Sequence, residues 1–151
     1  MITFIFGGGK NEPEAEPLIG YYEAKIKRSK EMEILNVASG EKTAERIKEE
    51  ESRKIGNLIK SGDYLILFDE RGKESSSEEY ATLIEKAEAG HRRTVIAVGG
   101  AYGVDEKIRK LADKIISFSP MIFPHQMARI MALEQTYRAL SIIRGAKYHH
   151  R

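Results

Sequence analysis

Tyr64-Leu65-Ile66-Leu67-Phe68, ended by Asp69, is an unbroken apolar run. A strand with one wet face would alternate, whereas a run that is apolar at every position belongs inside a parallel sheet covered by helices on both sides. Gly62-Asp63 forms the turn that delivers the chain to this strand. Beyond it, Ser75 with Glu78 and Ser76 with Glu79 have capping-box spacing, which predicts a helix running through Tyr80, Leu83, Ile84 and Ala87 to Gly90. Thr94 to Val98 is a second buried strand, Asp105 to Ala112 a short helix, Lys114 to Phe118 a further strand, and His125 to Ile143 a long final helix. Toward the N-terminus come a strand at Ile2 to Phe6, a helix at Glu14 to Arg28, a strand at Glu31 to Ala38 and a charged helix at Glu41 to Lys60. The narrow apolar stripe of this charged helix, Ala44, Ile47, Ile55 and Leu58, is interrupted at Glu51. Such alternation predicts one α/β domain over residues 1–151, with a mostly parallel sheet, helices on both faces, and ligands bound beyond the carboxyl ends of the strands.

The 151 residues include no cysteine and are enough to bury a core without disulfides or a structural zinc site. Met1 to Phe6 is apolar but stops at Gly7-Gly8-Gly9, far short of a signal sequence or a membrane span, so a cytoplasmic protein is expected. The net charge of +2 is unevenly spread: from Met121 onward Arg129, Arg138, Arg144, Lys147 and Arg151 face Glu134 alone. That end suits a phosphate-rich partner, although a solvated helix face with a basic tail would look the same. The histidines lack the spacing of a metal centre, and there is neither a nucleophile elbow nor a Cys–His pair. No metal is expected, and the chemistry narrows to positioning with, at most, one base.

Three strand ends carry the interest: Phe68-Asp69, Gly99-Gly100 and Ser119 through Pro124. In the last, Pro120 and Pro124 bar a helix and disfavour a strand, so Met121, Ile122 and Phe123 form an apolar loop with backbone groups available to a flat ligand. His125 and Arg129 follow at i and i+4, on one face of the final helix. Gly99-Gly100 and Gly103 allow close backbone approach to a ligand, or simply a turn. Gly7-Gly8-Gly9-Lys10 reads as a tight turn, since Asn11 stands where a phosphate loop needs Ser or Thr. The final helix is apolar on more than one face and wants two partners; the second is either another subunit or more of its own chain. Glu134 and Arg138 have the spacing of a local ion pair.

Val98-Gly99-Gly100-Ala101-Tyr102-Gly103, Phe123-Pro124-His125-Gln126-Met127-Ala128-Arg129, Glu134-Gln135-Thr136-Tyr137-Arg138-Ala139 and Tyr148-His149 resemble, in order and spacing, the ribosomal RNA large subunit methyltransferase H family of the SPOUT class. The resemblance covers essentially the whole chain. It implies a C-terminal trefoil knot, which periodicity would not suggest, because threaded connections are rare. It also implies a homodimer that methylates N3 of a pseudouridine in helix 69 of 23S rRNA, on the ribosome, with S-adenosyl-L-methionine as cofactor. By position, Phe68, Gly99, Gly100, Gly103, Ser119, Pro120, Met121, Ile122, Phe123 and Pro124 become the cofactor-binding residues.

The same resemblance makes His125 the base or the group that orients the target, and gives Arg129, Arg138, His149 and Arg151 to rRNA phosphates or the flipped base, with Tyr148 stacking or hydrogen-bonding at the site. The tail is expected to order on the ribosome. His150 departs from the family pattern, in which a single histidine precedes a basic residue. The rival readings are a doubly wound nucleotide- or flavin-binding protein without methyltransferase activity, and a ribosome-associated module that has lost catalysis.

Overall fold

A computed structural model describes residues 1–150. Five strands and five helices alternate: β1 (Ile2–Gly7), α1 (Glu16–Lys27), β2 (Met32–Val37), α2 (Ala44–Leu58), β3 (Asp63–Glu74), α3 (Ser77–Gly90), β4 (Arg93–Val98), α4 (Glu106–Leu111), β5 (Lys114–Ser117) and α5 (His125–Ile143). The strands form one sheet in the order β2-β1-β4-β3-β5, and every pairing is parallel. Among the described residues no helix is long and apolar enough to cross a membrane.

The unbroken apolar run is explained by two cores. Ile66 and Phe68 join Ile2, Phe4, Phe6 and Ile96 in a cluster with α1, α3 and α5, while Leu65 and Leu67 join Ile5, Val95 and Ala97 against α2 and α4. Period-two strand geometry thus feeds both sides of the sheet. Helix starts follow their caps: Thr43, Ser76 and Asp105 each accept a backbone N–H three residues on. Ser76, rather than Ser75, is the cap of α3.

One expectation is corrected. β3 does not stop at Asp69 but continues to Glu74, and Ile116 of β5 is the pairing partner of both Phe68 and Lys73. The intervening residues Asp69 to Gly72 therefore arch past β5 instead of continuing the ladder. Gly72 lies so close that a Cβ there would stand 2.8 Å from the carbonyl carbons of Ile115 and Ile116. α5 packs against α1 and α3, so much of its apolar surface is served within the chain, while Met127 stays 50% exposed.

Candidate functional site

The middle of β3, where the arch begins, the carboxyl end of β4 and the segment after β5 converge on one open cleft. Phe68, Asp69, Glu70, Val98, Gly99, Gly100, Gly103, Phe118, Ser119, Met121, Ile122, Phe123 and His125 line it, so all three strand ends singled out in the sequence meet here. Pro120 and Pro124 lie within the lining segment without lining the cleft themselves. The Phe68 and Phe118 rings stack at 4.3 Å, giving one wall a flat apolar face. Met121 and Ile122 are 73% and 82% exposed, an apolar pair with nothing over it among the described residues.

Glycine makes the cleft floor possible. A Cβ on Gly100 would lie 2.6 Å from Glu51 Oε1 and 2.8 Å from the Gly8 nitrogen, and one on Gly99 would lie 2.9 Å from the Gly103 carbonyl carbon. The Gly100–Gly103 turn closes through a 3.0 Å hydrogen bond from the Gly103 N–H to the Gly100 carbonyl, and Gly103 has φ +74°, a conformation that favours glycine. A ligand can therefore approach the main chain directly.

His125 opens α5, with its ring over Gly8, whose missing Cβ would lie 2.8 Å from Cδ2 and Nε2. Gln126 Oε1 accepts the Glu12 N–H and its Nε2 donates to the Lys10 carbonyl, so an amide N–H also faces His125 Nε2 at 3.2 Å. This arrangement places the proton of the neutral ring on Nδ1. Burial, and then the charge of Arg129, lower the His125 pKa, against a smaller opposing pull from Glu12.

Arg129 does not face RNA. It is completely buried, donating to the carbonyls of Gly7 and Gly9 at 2.5 and 3.0 Å and to Asn11 Oδ1 at 2.9 Å, with its guanidinium 5.4 Å from the centroid of the Phe6 ring. A guanidinium so enclosed cannot reach a phosphate; it fastens the turn after β1 to α5. Glu51 is the residue that sequence reasoning missed. Instead of merely interrupting a wet helix, it is 4% exposed and accepts the Gly8 N–H at 3.0 Å. Burial raises its pKa, with the Gly8 hydrogen bond and Arg129 opposing.

The remaining candidates form a second cluster. Arg138 donates to Glu134 at 2.9 Å, as the spacing predicted, and its Nη1 lies 3.1 Å from His149 Nδ1. Tyr148 donates to Glu134 at 2.8 Å, packs edge-on against Tyr137 and lies under the Arg138 guanidinium. Burial and Glu134 push the Tyr148 pKa up. His149 Nε2 stands 3.4 Å from Glu78. Tyr148 and His149 are thus packed on the chain already, contrary to the expected ordering on binding; Arg151 lies outside the described residues. At 1.5 Å per residue, Arg138 is about 20 Å along α5 from His125, so the cluster and the cleft are separate in one chain.

A family model described as "Predicted SPOUT methyltransferase" matches residues 1–149. Relatives named "Ribosomal RNA large subunit methyltransferase H" include one from Geobacter sp. (strain M21), 42% identical over 152 residues, covering 99% of this chain and 98% of the relative. Another, from Christiangramia forsetii, is 37% identical over 155 residues and covers 99% of each chain. A third, from Caldicellulosiruptor saccharolyticus, is 36% identical over 153 residues, again with 99% of each covered.

Proposed function

The chain belongs to the SPOUT methyltransferase family and is an rRNA methyltransferase, and from that premise we propose that it uses S-adenosyl-L-methionine to methylate N3 of a pseudouridine in helix 69 of 23S rRNA, on the assembled ribosome in the cytoplasm. The observation that carries this reading is the convergence of Phe68, Gly99 to Gly103 and Ser119 to Phe123 on a glycine-floored, aromatic-walled cleft with His125 at its edge. The cleft's chemistry fits the cofactor: exposed apolar Met121 and Ile122 can cover adenine, and Gly99 and Gly100 let main chain meet the ribose and methionine portion. Bound there, S-adenosyl-L-methionine would supply an electrophilic methyl group for N3 of the target base, with a neutral thioether as the leaving group.

The protein's share is orientation and control of one proton. Neutral His125 offers its Nδ1–H to a carbonyl oxygen of the target base, which acidifies the adjacent N3–H; that proton leaves to water. This favours the orienting role of His125 over the basic one, because Gln126 occupies the Nε2 lone pair. Arg138, Tyr148 and His149 hold the RNA. Since Arg138, against which Tyr148 and His149 pack, lies about 20 Å along α5 from His125, we assign their delivery to the second subunit of a homodimer. The dimer reading is supported by exposed Leu18 and Tyr21 on α1 and Met127 on α5.

The whole chain works as one SPOUT domain, with its C-terminal part threaded under the Asp69 to Gly72 arch as a trefoil knot; the double pairing of Ile116 supports this. Titration calorimetry with S-adenosyl-L-methionine tests the reading. Binding is expected, and its absence at millimolar cofactor in folded protein would move a nucleotide- or flavin-binding role to first place.

A further inference from the structure

A carboxylate inside a helix–sheet interface is expensive unless it is given partners, and Glu51 is placed where its partners are main-chain groups of the cleft. It sits in the buried face of α2 with Ser52 and Ile55. Its Oε2 accepts the N–H of Gly8, while Oε1 lies against Gly100, 2.6 Å from where a Cβ would be. Ser52, the next residue, accepts the Asp105 N–H at 3.0 Å, just beyond the Gly99 to Gly103 loop. Two neighbouring side chains of α2 therefore tie down both glycine segments beneath the cleft.

The Gly7 to Gly9 turn is gripped from opposite sides. Arg129 takes the carbonyls of Gly7 and Gly9, and Glu51 takes the intervening N–H of Gly8. Gly8 has φ +93°, and it carries the His125 ring on one side and Gly100 on another. Displacing this peptide would move the imidazole and the cleft floor together. The glycine-rich turn is not a phosphate loop, and its composition has a different purpose. It is thin enough to let a buried carboxylate, an imidazole and a second glycine loop meet.

We propose that Glu51 is a positioning residue for methyl transfer, holding the Gly8 peptide so that Gly100 and His125 keep the places the cofactor and target base require. This inference rests on the cofactor cleft proposed above. Glu51 touches neither cofactor nor RNA, and its effect passes through a hydrogen bond that a glutamine amide oxygen can also accept.

The test compares wild type, Glu51→Gln and Glu51→Ala at a temperature where circular dichroism shows all three folded. Cofactor affinity by calorimetry, kcat and KM on ribosomes, and amide hydrogen exchange at Gly8 and Gly100 without cofactor are measured. Glu51→Ala is expected to speed exchange at both amides, to weaken cofactor binding at least about tenfold and to lower kcat, with the ribosome KM unchanged. Glu51→Gln is expected to remain within about threefold of wild type. Equal behaviour of Glu51→Ala and wild type would overturn the proposal, as would Glu51→Gln failing as badly as Glu51→Ala. Failure of wild type itself to bind cofactor would instead overturn the cleft assignment, and faster exchange in Glu51→Ala would still report on the brace.

Discussion

Arg129 and Gly9 are 120 positions apart in sequence and are joined by a 3.0 Å hydrogen bond from the guanidinium to the carbonyl. That bond, with its neighbours to Gly7 and Asn11, makes an arginine from the basic C-terminal end an internal strut. Arg129→Lys keeps the charge but loses the fork that serves three acceptors, and should cost about 3 kcal/mol in urea unfolding. A variant of unchanged stability with weakened ribosome binding would return Arg129 to the RNA surface.

Burial and Arg129 hold the His125 pKa below the ordinary 6.5. Protonation would charge the ring and disturb its hydrogen bond with Gln126, so activity should persist below that pH and fall only as pH drops through the depressed value. The acid limb of a kcat/KM profile checks this, and an acid limb above 6.5 would contradict the direction.

Ile122 is 82% exposed and supports no core. Ile122→Asp should leave the melting temperature within about a degree while weakening cofactor binding about tenfold or more, because a charge replaces apolar cover over the cleft. Calorimetry and thermal unfolding on one preparation separate the two effects.

Tyr148→Phe removes the hydroxyl that donates to Glu134. Together with Arg138→Ala it should reduce methylation of ribosomes about tenfold or more without altering cofactor affinity. Equal losses in both would place the C-terminal cluster at the cofactor instead of the RNA.

At the opposite end of the sheet, burial alone would raise the Asp63 pKa, but hydrogen bonds from Arg93 and the Lys60 N–H, with the charges of Arg93 and Arg92, outweigh it and hold the pKa below 3.8. The sign follows: the stabilisation is complete above the unfolded value and is lost as pH falls through the lower folded one. Asp63→Asn should cost about 3 kcal/mol near neutral pH, read by urea unfolding, and much less in strong acid.

The sheet was legible because Leu65, Ile66 and Leu67 have no polar partner among them, so both faces had to be covered. The arch was not, since Asp69-Glu70-Arg71-Gly72-Lys73-Glu74 has no apolar side chain to mark a strand and becomes one only through its pairing with β5. The convergence of the three segments on one cleft could be read from glycine and proline at strand ends, whose backbone constraints are local. Arg129 and Glu51 could not be assigned in that way: each is a charged residue on a helix, and burial came from partners far away in sequence, 43 positions for Glu51 and 120 for Arg129. The one signal for Glu51 was its place inside an otherwise apolar stripe beside Ile55.

Methyl transfer to one base of the large-subunit RNA can be read by mass spectrometry of rRNA after incubating ribosomes lacking the modification with this protein and S-adenosyl-L-methionine. The predicted result is a single added methyl on N3 of a pseudouridine in helix 69, absent when that position is uridine and abolished by Ile122→Asp at low cofactor. A folded, cofactor-binding protein that leaves this base unmethylated, or that methylates another, would contradict it.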